Sequence, residues 1–334
     1  MKQILEKMLE RSNLTQHEMS DAFDKIMTGN MTPVQISAFI TALRMKGESV
    51  DELAGAASSM RRHAVLIDAG GRQVVDTCGT GGDRMNSFNV STCAAIVTAG
   101  SGVPVAKHGN RAVSSQCGSA DVLAELGVNI EAPPEVVEEC IQTIGIGFLY
   151  APKLHPAMKH AVGVRRELGI RTIFNMLGPL TNPAGARGQI LGVFSPELTE
   201  PFARVLQTLG SNRAFIVHGH DGIDEISVTT TTRITELCKG VIRTYEFDPL
   251  TLIEEYYQAE DIAGADPAFN ADVIRRVLSG KKGAYRDITL INAGAAIAAG
   301  GKADSIEAGF ELAQESVDTG KASDTLSKLI ENTK

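Results

Sequence analysis

The sequence predicts an α/β protein that begins with a small helical region and continues as a larger sheet-and-helix region. Three observations predict it. Its 334 residues exceed one average core and approach two domains at roughly 150 residues each. The first seventy residues carry helix punctuation only. From Arg72 onward, short β-rich runs alternate with glycine turns and helical stretches, the pattern of a largely parallel sheet covered by helices on both faces.

The elements follow in order. Thr15 with Glu18 forms a capping box ahead of an apolar stripe at Met19, Phe23, Ile26 and Met27, closed by Gly29. Thr32, Pro33 and Gln35 supply N-cap, first-turn proline and box partner for Ile36, Phe39, Ile40 and Leu43, ending at Gly47. Ser49 with Glu52 repeats the device for Leu53, Ala56, Ala57 and Met60. Each such helix has one apolar face and must bury it against another or against a partner subunit. The expected strands are VVDTCGTGGD, VPVAKHGNR, QILGVFS, AFIVHG and VIRTYEF, with helices near 88–99, 118–126, 134–144, 196–209 and 285–299. His155 to Leu168 reads as a further amphipathic helix, RTIFNMLGPLTNPAGA as a loop, and Ser305 to Leu329 as polar helix without chemistry.

Composition narrows the function. With 43% hydrophobic and 22% charged residues, 33 Gly and no Trp, the chain is of ordinary globular make-up. No window approaches the ~20 unbroken apolar residues of a bilayer crossing, and the N-terminal stretch lacks the apolar run of a signal peptide, so a cytoplasmic location is expected. A net charge of −8 without a basic run argues against nucleic acid or an anionic membrane as partner. Cys78, Cys93, Cys117, Cys140 and Cys238 are odd in number and never paired as Cys-x-x-Cys, which signals neither disulfides nor zinc.

Any phosphate site must therefore be built locally, and DTCGTGGDRMNSFNVST, residues 76–92, has the means. A strand runs into Gly79, Gly81 and Gly82 and then into a helix start bearing Asn89, Ser91 and Thr92. Such a turn lets backbone N–H groups converge on an anion while the helix dipole and hydroxyls add to it. Arg84 stands where a dinucleotide fingerprint needs its third glycine, and no Gly-Lys-Ser/Thr follows to make a P-loop. KHGNRAVSSQCGSAD, residues 107–121, places Lys107, His108 and Arg111 within five residues, with Ser119 expected at a helix N-cap, an anion clamp in an acidic protein.

Two further segments are weaker on spacing alone. In HGHDGIDEISVTTTT, residues 218–232, the adjacent Asp224 and Glu225 suit Mg²⁺, which takes one or two carboxylates plus substrate phosphate, although adjacent acids are common on surfaces. His218 and His220 lack a third nitrogen or sulfur at zinc spacing. In HPAMKHAVGVRRELGIRTIFNMLGPLTNP, residues 155–183, Arg165 and Arg166 could meet a carboxylate, though a solvated basic helix face is the simpler reading.

Together, GTGGD, NVST, KHGNR with GSAD, HPAMKH with LGIRTIFNMLGPLTNP, HG with DEIS, and NAGAAI at 292–297 resemble the anthranilate phosphoribosyltransferase family over nearly the whole chain. The resemblance implies a nucleoside phosphorylase type of fold, a helical domain hinged to the α/β domain, and homodimers formed through the helical domain. It implies a division into 1–70, with 155–185 packed on it, and an α/β domain of 71–154 and 186–334. It also implies that Gly79, Thr80, Gly81, Gly82, Asp83, Asn89, Ser91, Thr92, Lys107 and Ser119 hold phosphoribosyl pyrophosphate. Anthranilate would meet Gly79, His108, Asn110, Arg165, Gly178 and Pro179, and Mg²⁺, as two ions per site, would meet Ser91, Asp224 and Glu225. Lys107 and Arg165 would act electrostatically and by orientation, with no general base. Arg84 and Met85 depart from the small residues usual after GTGGD, and Gln116 and Cys117 from a Lys-Ser pair. Two alternatives are a pyrimidine nucleoside phosphorylase, disfavoured by the intact KHGNR, and a nucleic-acid-binding relative, disfavoured by the acidic charge.

Overall fold

The structure, a computed structural model, describes residues 1–82, 85–112 and 116–334. The helical start consists of α1 (Lys2–Leu9), α2 (Gln16–Met27), α3 (Pro33–Lys46) and α4 (Val50–Arg62). All three expected capping boxes form, on Thr15, Thr32 and Ser49, so the backbone N–H groups at these helix starts are satisfied locally. Then follow β1 (Val75–Gly79), α5 (Val90–Gly100), β2 (Val105–Gly109), α6 (Ser119–Leu126), α7 (Pro134–Thr143), β3 (Ile146–Tyr150), α8 (Ala151–Leu154), α9 (Lys159–Leu168) and α10 (Phe174–Leu177). The rest of the chain gives β4 (Gly188–Gly192), α11 (Thr199–Thr208), β5 (Arg213–Gly219), β6 (Thr232–Cys238), β7 (Val241–Phe247), α12 (Pro267–Leu278), α13 (Ala284–Ala299), α14 (Ile306–Asp318) and α15 (Lys321–Asn332).

Among the described residues seven strands form one sheet, in the order β3-β2-β1-β4-β5-β6-β7. The first five are parallel, and β6 and β7 add antiparallel to that edge. Successive strand residues face opposite sides, as the pleat requires. Val75, Val105, Ile190, Phe215 and Val217 join a core with α5 and α13, while Leu191, Ala214 and Ile216 join α11 and the N-terminal helices. Ala106 and Leu149 pack instead with Ile141 of α7. The helical layer thus shares its core with one face of the sheet.

Residues of the 155–185 stretch pack into that helical layer. Ala161 and Val164 of α9 are buried there, and the Phe174 ring lies 5.5 Å from Phe23, which meets Phe39 edge-on at 6.3 Å. Each fully buried aromatic of this kind contributes about 1.5–3 kcal/mol. A buried ion pair, Lys46–Glu52 at 2.8 Å, ties the end of α3 to the start of α4.

Several local expectations need correction. Strands β3 and β6 are additional to the five expected, and their absence from the sequence reading hid the antiparallel edge. The helix expected from His155 starts at Lys159, because Pro156 opens a short 3₁₀ turn first. The segment read as a loop after it contains α10 and a further 3₁₀ turn. Gly118, not Ser119, is the N-cap of α6, and the C-terminal polar helix is two helices broken at Gly320.

Candidate active site

The chain leaves β1 toward β2 and β3 on one side and returns to β4 on the other, so the crevice beyond the carboxyl ends of β1 and β4 is a topological switch point. Ligands of open α/β sheets bind at such crevices. The expected glycine turn is there: Gly79 ends β1, and Gly81 and Gly82 adopt φ of 66° and 79°, which L side chains rarely do. Thr80 N–H donates to Gly192 O at 2.8 Å and its Oγ1 accepts from Phe194 N–H at 3.2 Å, which fastens the turn to β4.

The loop after β5 closes the crevice. Asp224 Oδ2 accepts from Gly81 N–H at 2.9 Å. A Cβ on Gly79 would stand 2.5 Å from the same oxygen, and one on Gly192 only 1.5 Å from Asp224 O, so both strand ends must be glycine for the loop to come this close. On the opposite side Lys107, at the centre of β2, is buried with Nζ donating to Thr77 O at 2.5 Å and to Ser91 Oγ at 3.3 Å. Burial pulls the Lys107 ammonium below its ordinary pKa, and the charges of Asp76, Cys78 and Glu225 oppose that pull. Asn89 precedes α5 and spans Cys117 O and the Asn270 amide, while Thr92 is buried in α5 with an Oγ1 that has no partner among the described residues. Asp83 lies outside the described residues, as do Arg84 and the paired serines after KHGNR.

The second half of the site lies around His108. Its Nδ1 meets Gly178 O at 3.2 Å, which places the ring proton on Nδ1 because the carbonyl can only accept. The His155 ring stands 5.1 Å away, and neither Nε2 has a hydrogen-bond partner among the described residues. Pro179 O accepts from Gln189 Nε2 at 2.7 Å, and Asn110 O accepts from Ser119 Oγ at 3.3 Å. Arg165 packs its guanidinium 5.3 Å over the Phe174 ring, and among the described residues no hydrogen bond joins it to Asn110. The structure therefore gathers Gly79, Thr80, Gly81, Asp224, Ser91 and Lys107 at one crevice and links His108 to Gly178 beside it, with Arg165 on the helical side.

Burial draws His108 down to about 4 and His155 to about 3, so both rings are neutral at pH 7. In the unfolded chain both would titrate near 6.5. Between that value and the folded values, unfolded chains bind protons that the folded protein does not. Stability is expected to fall as pH drops through this window, by up to about 1.4 kcal/mol per pH unit per ring. Urea midpoints measured from pH 7 to 4 should show a shallower fall in a His108→Gln/His155→Gln variant; equal slopes would mean that the folded rings already titrate normally.

The sequence reading missed three participants. Asp76, fully buried, accepts from His108 N–H at 3.1 Å, from Asn182 Nδ2 at 2.8 Å and from Cys78 Sγ at 3.2 Å. An acidic residue inside a strand buried on both sides of it was the available signal. Asn182 bonds Asp76 and Ala106 O together, locking the loop after α10 to the sheet. Arg171 donates to Gly82 O at 2.5 Å and stacks 4.7 Å over the Phe194 ring, putting a cation on the glycine turn; its neighbours gave no hint of this.

This pairing of a helical bundle with a mostly parallel sheet is that of a glycosyl transferase family, and the matches place the chain there. Residues 2–64 match the helical bundle domain of a glycosyl transferase family and residues 71–323 its a/b domain. The anthranilate phosphoribosyltransferase of Desulfosudis oleivorans is 55% identical over 333 residues, spanning 99% of this chain and 98% of that protein. The enzyme of the same name from Acetivibrio thermocellus is 51% identical, over 100% of this chain and 96% of its own. Among solved structures, the anthranilate phosphoribosyltransferase of Thermus thermophilus superposes with a TM-score of 0.93 at 42% identity, covering 99% of both chains. That of Saccharomyces cerevisiae in complex with PRPP and Mg superposes at 0.89 with 30% identity, covering 99% of this chain and 97% of that one. The chain belongs to the anthranilate phosphoribosyltransferase family, and is thus a pentosyltransferase. Neither the phosphorylase nor the nucleic-acid-binding alternative is favoured by these matches. Among the described residues no helix is long and apolar enough to cross a membrane.

Proposed function

We propose that this enzyme transfers the phosphoribosyl group of phosphoribosyl pyrophosphate to the amine of anthranilate, releasing pyrophosphate, in the cytoplasmic synthesis of tryptophan. The observation that carries the reading is that Asp224 meets the glycine turn at the end of β1 while Lys107 joins Thr77 of the same strand to Ser91, at the switch point. Gly79, Thr80, Gly81, Gly82 and Asp83, with Asn89, Ser91, Thr92, Lys107 and Ser119, are assigned to the donor. Turn N–H groups and the Lys107 ammonium then stabilise negative charge as it develops on the departing pyrophosphate.

The residues present fit magnesium. Asp224 and Glu225 supply two hard carboxylates, Ser91 a hydroxyl, and among the described residues no cluster of three or more His, Cys, Asp or Glu completes a cage. That donor set suits an ion whose remaining positions are filled by substrate phosphate and water. Bound there, two Mg²⁺ ions would offset the charge of the leaving pyrophosphate. The solved structure of the yeast relative with PRPP and Mg supports the reading.

On the acceptor side, Gly79, His108, Asn110, Arg165, Gly178 and Pro179 are assigned to anthranilate. The amine of anthranilate is neutral at pH 7 and needs little deprotonation before it attacks. A His108 held near 4 is a weak base, in keeping with a reaction run by proximity and charge without a general base. Arg165 is half-buried, and burial lowers its pKa, so a carboxylate meeting it is paired away from bulk water. Arg165→Ala is expected to raise the KM for anthranilate about 10- to 100-fold, the worth of a charge-assisted hydrogen bond, with a smaller change in kcat. Steady-state kinetics with anthranilate varied at saturating donor checks this; an unchanged KM would remove Arg165 from the acceptor site.

We also assign 1–70 with 155–185 to a helical domain that closes over an α/β domain of 71–154 and 186–334, excluding water that would hydrolyse the donor. The helical layer is assigned the dimer contact, for which the exposed Leu9, Val34 and Met45 of α1 and α3 supply apolar surface. The direct test of the function is fluorescence of anthranilate with phosphoribosyl pyrophosphate and Mg²⁺. Metal-dependent loss of the signal by the pure protein is the expected result, and no loss overturns the reading.

A further inference from the structure

The NAGAAI segment has no part in the chemistry described above, yet it lies at the centre of α13, where every residue from Ile288 to Ala299 is buried. Gly294 faces α14 at backbone distance: a Cβ there would stand 2.7 Å from Phe310 N and 2.8 Å from Ile306 O. That contact seats α13 between α14 and the sheet. Asn292, two residues earlier, projects about 200° away around the helix. Its amide takes hold of one residue of the loop after β5. Ile226 N–H donates to Asn292 Oδ1 at 2.9 Å, and Asn292 Nδ2 donates to Ile226 O at 3.0 Å and to Ile288 O at 2.8 Å.

Ile226 directly follows Glu225. On the other side of the acidic pair, Ile223 N–H donates to Asp221 Oδ1 at 3.2 Å and Ile223 O accepts from Gly219 N–H at 2.9 Å. Asp221 Oδ2 in turn accepts from Ser227 Oγ at 2.6 Å and Thr229 Oγ1 at 2.5 Å. Ile223 and Ile226 are fully buried. Asp224 and Glu225 are thus a two-residue span between two anchored isoleucines.

We propose that Asn292 is a positioning residue of the metal site, holding the Asp224–Glu225 pair in its binding geometry before donor and metal arrive. The inference rests on the reading of that pair as metal ligands. Only a carboxamide offers an acceptor and a donor side by side to match the N–H and C=O of one residue. Aspartate lacks the donor, and leucine leaves both Ile226 groups buried and unpaired. Groups that orient metal ligands typically cost 10- to 100-fold in metal affinity when removed.

The experiment is titration calorimetry of the full chain with pyrophosphate, with and without Mn²⁺, on wild type, Asn292→Leu, Asn292→Asp and Glu225→Gln. Both Asn292 variants are expected to bind Mn²⁺–pyrophosphate 10- to 100-fold more weakly while binding metal-free pyrophosphate as wild type does. Wild-type affinity for Mn²⁺–pyrophosphate in both, beside a loss in Glu225→Gln, overturns the role of Asn292 and leaves the metal reading standing. Equal weakening with and without metal also overturns it, as damage to the fold would act on both. Undiminished binding by Glu225→Gln instead sinks the metal reading, and the Asn292 proposal with it. Should neither Asn292 variant fold, hydrogen exchange of the wild type decides: an Ile226 amide as protected as those of α13 in the substrate-free protein supports the proposal, and loop-like exchange overturns it.

Discussion

An Asp224→Ala/Glu225→Ala enzyme is expected to lose Mg²⁺-dependent turnover by at least about 10²- to 10³-fold while remaining folded. The side chains are half-exposed on a loop whose flanking isoleucines carry the packing, so their removal costs local contacts such as the Gly81 N–H bond to Asp224, about 1–3 kcal/mol, and leaves the core intact. The catalytic loss follows from charge. Cleavage of the bond between ribose and pyrophosphate spreads negative charge over the leaving group, and removing one preorganised stabiliser of such charge already costs about 10²- to 10³-fold. Lys107 remains in the variant and accounts for residual activity. The measurement is anthranilate fluorescence across a Mg²⁺ titration, with circular dichroism as the check on folding. Turnover within tenfold of wild type would take the acidic pair out of the mechanism.

Asp76→Ala is expected to have the largest effect on stability, about 3–5 kcal/mol, the cost of removing one partner from a buried charge pair. Asp76 opposes the burial of the Lys107 ammonium more than any other neighbour does, and burial pushes its own carboxyl up against the pull of the Lys107 charge and its hydrogen bonds. It also accepts hydrogen bonds from three separate places: the end of β2 through His108 N–H, the loop after α10 through Asn182, and β1 through Cys78. Alanine strands all three donors and leaves Lys107 without its main counter-charge. Urea denaturation of the two proteins side by side gives the difference. A loss below about 1 kcal/mol would overturn the reading of Asp76 as the hub of this buried network.

How much of this was legible depends on the range of the interaction involved. The capping boxes were readable because each is made within four residues, and all three form. The glycine turn was readable because positive φ singles out glycine wherever the turn is needed. Strand β3 was not, since IGFLY is a short apolar run three residues after a helix, and periodicity cannot separate such a run from buried helix or loop. Strand β6, TRITELC, opens on the last residue of a threonine run that reads equally as loop, and its pairing with β5 and β7 makes it a strand.

The same division holds in the site. The chemical inventory, a glycine turn, a buried-strand lysine, an acidic pair and an arginine helix, stands in the chain as residue types and spacings. Their assembly does not, because Gly81 and Asp224 meet across 143 residues of sequence and Asp76 and Asn182 across 106. Spacing alone left the acidic pair as surface charge; the sheet order brings its loop over the glycine turn. The roles of Asp76 and Asn292 arise only where separate elements converge on one buried polar group, which must find its partners inside the fold because water cannot supply them.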